Sequence, residues 1–243
     1  MPPILHYSHP HTDRQLPSAA FALQGDPLAA GRVIHYHDPV QGYAAGSSVS
    51  TGANLVIESF PWVELGVIEA GELHLQGEGF DLQLKAGDCF VVPRGIAVRW
   101  QQRGQLRRVF MAFPGLSACT PMPVAPIRID LFQPLAPSSP PAASVLLTAP
   151  PKAWSETLFS AGNLRIGLWQ CEAYARHQVE PGYSELMYIL EGSVTLQAEH
   201  GGGHHVRAGE TVIVPKAAPT VARISRQGMN RPWRRAGFGS SSR

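Results

Sequence analysis

Residues 64–71 read Glu64-Leu65-Gly66-Val67-Ile68-Glu69-Ala70-Gly71, and residues 185–192 read Glu185-Leu186-Met187-Tyr188-Ile189-Leu190-Glu191-Gly192. A second pair of stretches follows each: Ala86-Gly87-Asp88-Cys89-Phe90-Val91-Val92-Pro93 and Ala208-Gly209-Glu210-Thr211-Val212-Ile213-Val214-Pro215. The first pair lies 121 residues apart (185 against 64, 192 against 71) and the second 122 (209 against 87, 215 against 93), so one inserted residue accounts for the difference. Four anchors holding register identify an internal duplication, which decides the architecture before any local reading does.

Each copy reads as β structure. Gly71-Glu72-Leu73-His74-Leu75-Gln76 and Gly192-Ser193-Val194-Thr195-Leu196-Gln197 place apolar side chains at alternate positions, the period of a half-buried strand. Glycine loops at Gly77-Glu78-Gly79 and Gly201-Gly202-Gly203 then turn the chain. The β-branched runs before Pro93 and Pro215 end at a residue that cannot donate to a continuing ladder. With 24 glycines and 22 prolines in 243 residues, the expectation is an all-β chain of two small antiparallel barrels.

Ten of the prolines fall in residues 114–151, including Pro137-Ser138-Ser139-Pro140-Pro141. Such a stretch reads as a semi-rigid connector, with Ile127, Ile129, Leu131 and Phe132 apolar enough to dock. The organisation expected is an N-terminal arm (1–30), a first barrel (31–115), a proline-rich linker (116–151), a second barrel (152–236) and a flexible tail (237–243).

A net charge of +2 gives no reason to expect nucleic acid, and the arginines near the end (Arg223, Arg226, Arg231, Arg234, Arg235, Arg243) read as a solvated tail. Cys89, Cys119 and Cys171 are odd in number and form no Cys-x-x-Cys pair, which argues against a disulfide framework and a structural zinc. No apolar run reaches ~18 residues and no basic start precedes one, so a cytoplasmic protein without a membrane span is expected.

The spacing of the repeated residues resembles the cupin superfamily, whose barrels are double-stranded β-helix jelly rolls. Its first motif ends in a glutamate, six residues and a glycine, met by Glu64 to Gly71 and Glu185 to Gly192. Its second runs glycine, five residues, proline, any residue, glycine; Gly87, Pro93 and Gly95 meet it, and Gly209 and Pro215 meet it with Ala217 in place of the last glycine. In style the chain is similar to bicupins of the ureidoglycine-aminohydrolase type. The resemblance implies two jelly rolls, a homodimer and, in many relatives, a divalent metal held by three histidines and the motif-one glutamate.

The histidines are missing here. The residues before the glutamates are Ile57-Glu58-Ser59-Phe60 and Gln178-Val179-Glu180-Pro181, and the motif-two histidine falls at Val98 and Thr220. The aminohydrolase pattern Glu-x-His-x-x-x-His keeps only Glu58, so neither that activity nor a histidine-held metal is carried over. The oxygens of Gln178, Glu180 and Glu185 offer the second copy an alternative, a hard divalent ion.

The candidate ligand-binding residues are therefore Glu185, His177, Gln178, Glu180, Tyr183 and Thr220 in copy two, with Glu64, Glu58, Trp62 and Trp100 in copy one. Glutamates at the start of barrel strands can orient a polar ligand or act as a base, or else be satisfied structurally by a neighbouring arginine. Trp62 and Trp100 suit core or pocket, each indole needing an acceptor. The pairs His9-Pro10-His11, His35-Tyr36-His37 and His204-His205 lie outside the motif positions and read as polar surface. Three functions stay open: a bicupin binding a small polar molecule with the usual metal centre lost, an enzyme of nitrogen-compound or small organic acid metabolism using an atypical metal in the second copy, or a regulatory or assembly role without ligand turnover.

Overall fold

The structure is a computed structural model, and it describes residues 3–8, 16–117, 119–198, 202–225 and 233–241. Among the described residues there is no α-helix, only one turn of 3-10 helix at Ala143–Val145; strands carry the fold. A short first strand, β1 (Leu5–Tyr7), is followed by β2 (Arg32–Asp38), β3 (Tyr43–Ile57), β4 (Val63–Ala70), β5 (Glu72–Gly77), β6 (Phe80–Lys85), β7 (Cys89–Val92), β8 (Val98–Phe113) and β9 (Ile127–Arg128). Then come β10 (Ala136–Ser138), β11 (Ala153–Ala161), β12 (Leu164–Cys171), β13 (Tyr174–Val179), β14 (Tyr183–Glu191), β15 (Ser193–Ala198), β16 (Gly203–Arg207), β17 (Thr211–Val214), β18 (Thr220–Ser225) and β19 (Trp233–Ser241).

The contacts divide into two compact units, Leu16–Asp130 and a second made of Met1–Gln15 with Leu131–Arg243. In the N-terminal unit the order β2-β3-β8-β4-β7-β9 forms one antiparallel sheet, with β5 pairing β8 and β6. The long strands β3 and β8 pair from Ala44↔Ala112 to Ile57↔Val98, and β8 hands its two halves to β4 and β5. The C-terminal unit builds the same work from shorter pieces. A seven-stranded sheet runs β1-β17-β14-β19-β12-β11-β10, and a four-stranded one β13-β18-β15-β16.

The repeated residues make matching bonds in the two units. Gly87 N–H donates to the Ile68 carbonyl and Gly209 N–H to that of Ile189, both at 2.8 Å. Ile68 N–H donates to Asp88 and Ile189 N–H to Glu210, both at 3.0 Å. Glu64 pairs with Val92, and Glu185 with Val214. Gly71 and Gly192 both sit at positive φ, 89° and 78°, a region that a β-carbon disfavours, which is why the motif needs glycine there. The alternation read as strand buries Leu73, Leu75 and Leu84 with Phe90 and Phe110 in one core, and Val194, Leu196 and Val206 with Val212 and Ile224 in the other.

Three expectations need correction. Of the expected tail at 237–243, residues 237–241 belong to β19, which continues to Ser241 and lies between β12 and β14; 242 and 243 lie outside the described residues. The first residues are not merely an arm, because β1 pairs with β17 (Leu5↔Ile213), His6 Nε2 lies 3.0 Å from Glu210 Oε2, and Ile4 joins the C-terminal core. The proline-rich stretch contributes strands to both units, β9 on β7 and β10 on β11. Within it Ile129 and Leu131 are buried, but Phe132 is 83% exposed.

Candidate functional site

The two motif-one glutamates have different surroundings. Glu64, on β4 of the N-terminal unit, is wholly buried. Arg32 on β2 grips it with both terminal nitrogens, at 2.8 and 3.2 Å, Trp62 Nε1 donates to it at 2.9 Å, and Arg108 on β8 donates to its other oxygen. Asp26 takes the remaining edge of Arg32 at 3.0 Å. Two guanidiniums and two carboxylates thus cancel inside the unit. The arginine planes lie over aromatic rings, Arg32 at 4.1 Å from the Phe110 centroid and Arg108 at 4.8 Å from that of Trp100. Burial alone would raise the Glu64 pKa, but Arg32 and Arg108 outweigh it and hold the carboxyl down at about 2.

Glu64 and Trp62 are therefore structural, which corrects their place among the ligand candidates. The spacing gave no sign of this, since the two arginines lie 32 and 44 residues away in sequence. Trp100 is packed in the core beside Phe90. Glu58 is exposed on a bend outside the unit's interior.

In the C-terminal unit the equivalent region is open. A cavity of about 660 Å³ lies there. Its walls carry Glu185 and Tyr183 from β14, Arg176 from β13 and Thr220 from β18, with Glu180 in the loop beyond β13. Met187, Val194, Leu196, Val214 and Ile224, members of the unit's core, also line it and supply an apolar floor. Thr220 is fully buried, and Arg176 is oriented on it: Nη1 donates to the Thr220 carbonyl at 2.8 Å and Nη2 to its hydroxyl at 3.2 Å. Tyr183 is 42% exposed, so one end of the cavity reaches solvent.

Of the sequence candidates, the cavity gathers Glu185, Glu180, Tyr183 and Thr220. His177 and Gln178 are exposed and do not line it, because β13 turns them outward where its register shifts between Arg176 and Val179. Sequence reasoning missed Arg176, Trp169, Tyr174 and Arg165. Arg165 and Trp169 follow buried Leu164 and Leu168 on β12, a signal available in the strand period; Tyr174 and Arg176 on β13 show no such alternation. It also missed Ser139, Pro140, Pro141 and Val145, all from the proline-rich stretch.

Known proteins fit this architecture. A profile of the EutQ-like cupin domain matches residues 160–231. The crystal structure of a protein of unknown function of the DUF861 family, from Pseudomonas syringae pv. tomato str. DC3000, superposes with a TM-score of 0.89 at 28% identity, over 99% of this chain and 100% of that one. Residues 160–231 thus match a cupin domain, and the chain as a whole has the cupin fold. The cupin 2 conserved barrel domain protein from Leptotrichia buccalis shares the fold, with a TM-score of 0.58 at 12% identity over 86% and 88% of the two chains. So does the DUF861 protein Ylba from E. coli, at 0.56 and 10% over 92% and 88%. No curated protein matches the chain.

A cupin metal does not fit either position. In the N-terminal unit, Ile57 and Val98 stand where histidines would and are buried in the apolar core, while guanidiniums already neutralise Glu64. In the C-terminal unit Thr220 stands in the histidine's place, and Gln178 is exposed and does not line the cavity that holds Glu185 and Glu180. Among the described residues no three His, Cys, Asp or Glu side chains gather as a ligand set. His9 and His11 lie outside the described residues; His35 is bonded to the Pro17 carbonyl and the Ser47 hydroxyl, and His205 to Thr195. No helix among the described residues is long and apolar enough to cross a membrane.

Proposed function

We propose that this cupin binds a small hydroxy acid in the cavity of its C-terminal unit, without a histidine-held metal. The observation that carries this is the cavity itself, about 660 Å³ with Glu185 on one sheet and Arg176 with Thr220 on the other. That volume lies within the usual range for small-molecule sites. A carboxylate suits the Arg176 guanidinium, which makes charge-assisted bonds to planar acids. A hydroxyl suits Glu185, an acceptor when ionised. The floor of Met187, Val194, Leu196 and Ile224 accommodates a short carbon chain. Binding, orientation and exclusion of water are the work these residues can do.

Thermal-shift measurements with hydroxycarboxylates, simple carboxylates and neutral polyols test the reading. Hydroxycarboxylates should raise the melting temperature most, and polyols without an acid should not. Arg176→Met should abolish the response, and Glu185→Gln should remove the preference for the hydroxyl. A response to polyols alone, or one untouched by both substitutions, contradicts it. Elemental analysis of untagged protein should find iron, manganese, nickel and zinc far below one per chain; near-stoichiometric metal lost in Glu185→Ala would overturn the metal-free part.

A further inference from the structure

The proline-rich stretch is fastened to the C-terminal unit at two places. Its β10 pairs with β11 on the seven-stranded sheet, Ala136 opposite Ser155 and Ser138 opposite Ala153. Eight residues after Ser138, Leu146 bridges to Arg176 on β13 of the four-stranded sheet. That second attachment is reinforced: Leu147 N–H donates to the Ala175 carbonyl at 2.8 Å, and Ala175 N–H to Thr148 Oγ1 at 3.4 Å. Between the attachments the chain crosses from one sheet to the other. Ser139, Pro140, Pro141 and Val145 line the cavity on the way, while Ser139 and Pro140 keep their outer faces in solvent.

The composition makes this crossing stiff. Pro140 and Pro141 fix two successive φ angles, and Ala143–Val145 adds a 3-10 turn before the second attachment. The crossing also ends on Arg176, the residue whose side chain is held by Thr220. A wall that is stiff, tied at both ends and joined to the polar anchor fixes the room left beyond that anchor.

We infer that residues 139–145 form a strap that determines specificity, setting the length of the acid the cavity accepts. This rests on the binding reading above. An acid held at Arg176 extends its chain over the apolar floor until it meets the strap, and each methylene beyond that point lowers affinity about 10-fold or more. The strap residues are positioning residues, since they act by shape and not by contact with a reacting atom.

Calorimetric titration of unbranched 2-hydroxy acids, from glycolate upward in chain length, into the full chain tests the strap. The native protein should show affinity rising with length and then breaking sharply. The double variant Pro140→Gly/Pro141→Gly should move the break to longer acids, and Val145→Trp, which adds bulk without loosening the backbone, to shorter ones. Arg176→Met should weaken every length alike. Should one strap variant lose its cooperative melting transition, the other still decides the matter. If both variants break at the native length, or the native protein shows no break, the strap is not the limiting wall while the binding reading stands. If no acid of the series binds the native protein, both fall together.

Discussion

Arg108 meets Glu64 in the interior of the N-terminal unit, where the two side chains are 1% and 0% exposed. In a cupin the motif-one glutamate is the carboxylate a metal would use, and here guanidiniums take the positive charge. Removing one partner of a buried pair leaves the other charge uncompensated, which costs about 3–5 kcal/mol. Glu64→Gln, which leaves Arg32 and Arg108 facing a neutral amide, should therefore lower stability by about that amount in chemical denaturation. A loss below ~1 kcal/mol would show that the network is not what holds this unit together.

The same carboxylate sets an acid limit. Its pKa is held down at about 2 against an ordinary 4.5, so its contribution is fully present above pH 4.5 and drains away as pH falls toward 2. The stability difference between native protein and Glu64→Gln should shrink across that window and be unchanged between pH 6 and 8. A difference that instead grew on acidification would contradict the assignment.

Glu69 carries the opposite sign. It lies at the bulge where β4 slips register against β8, and burial pushes its pKa up to about 7 despite the nearby Arg107. Ionising it therefore destabilises the fold as pH rises from 4.5 through 7. Glu69→Gln should raise stability by about 1 kcal/mol or more at pH 8 and have little effect at pH 4, measured by denaturation at both values.

Ala217 is the sole described non-glycine residue at positive φ, 59°, and occupies the position that Gly95 holds at 88° in the first copy. A left-handed conformation costs an L-residue roughly 1–2 kcal/mol, partly offset by the larger unfolded-state entropy of glycine. Ala217→Gly should be neutral to stabilising, by up to about 1 kcal/mol. Gly95→Ala should be destabilising by a similar amount, although a β-carbon at Gly95 would meet no atom within 4 Å. Equal responses of the two sites would remove the backbone explanation.

Strand β19 supplies a further structural test. It pairs with β12 from Leu164↔Ser240 to Cys171↔Trp233 and with β14 from Tyr183↔Ser241 to Glu191↔Arg234. Ending the chain before Trp233 would leave two central strands with unpaired edges, so the truncated protein should lose its cooperative transition or aggregate.

What the sequence reveals and what it hides divide along the range of the forces involved. Gly71, Gly87, Gly192 and Gly209 are readable because backbone geometry demands them locally, and with Pro93 and Pro215 they locate the motifs of both units. The Glu64 network is hidden because Arg32, Asp26 and Arg108 come together only when β2, β4 and β8 are neighbours. Residues 233–241, rich in Arg, Gly and Ser, have weak strand preference of their own, and pairing on both sides makes them a strand. Glu185 and Thr220 were found from the motif, whereas Arg176 was not, since nothing in the motif specifies it. The proline-rich stretch was read as a connector because its composition describes stiffness and says nothing about what it lies against.

The place where a small acid binds decides the function. A crystal structure of the protein with the tightest-binding 2-hydroxy acid of the series measures this directly. The acid should lie in the C-terminal cavity, its carboxylate against Arg176 and its hydroxyl against Glu185, with its chain ending at Pro140, Pro141 and Val145. Density for the acid beside Glu64, or outside the C-terminal cavity altogether, would contradict it.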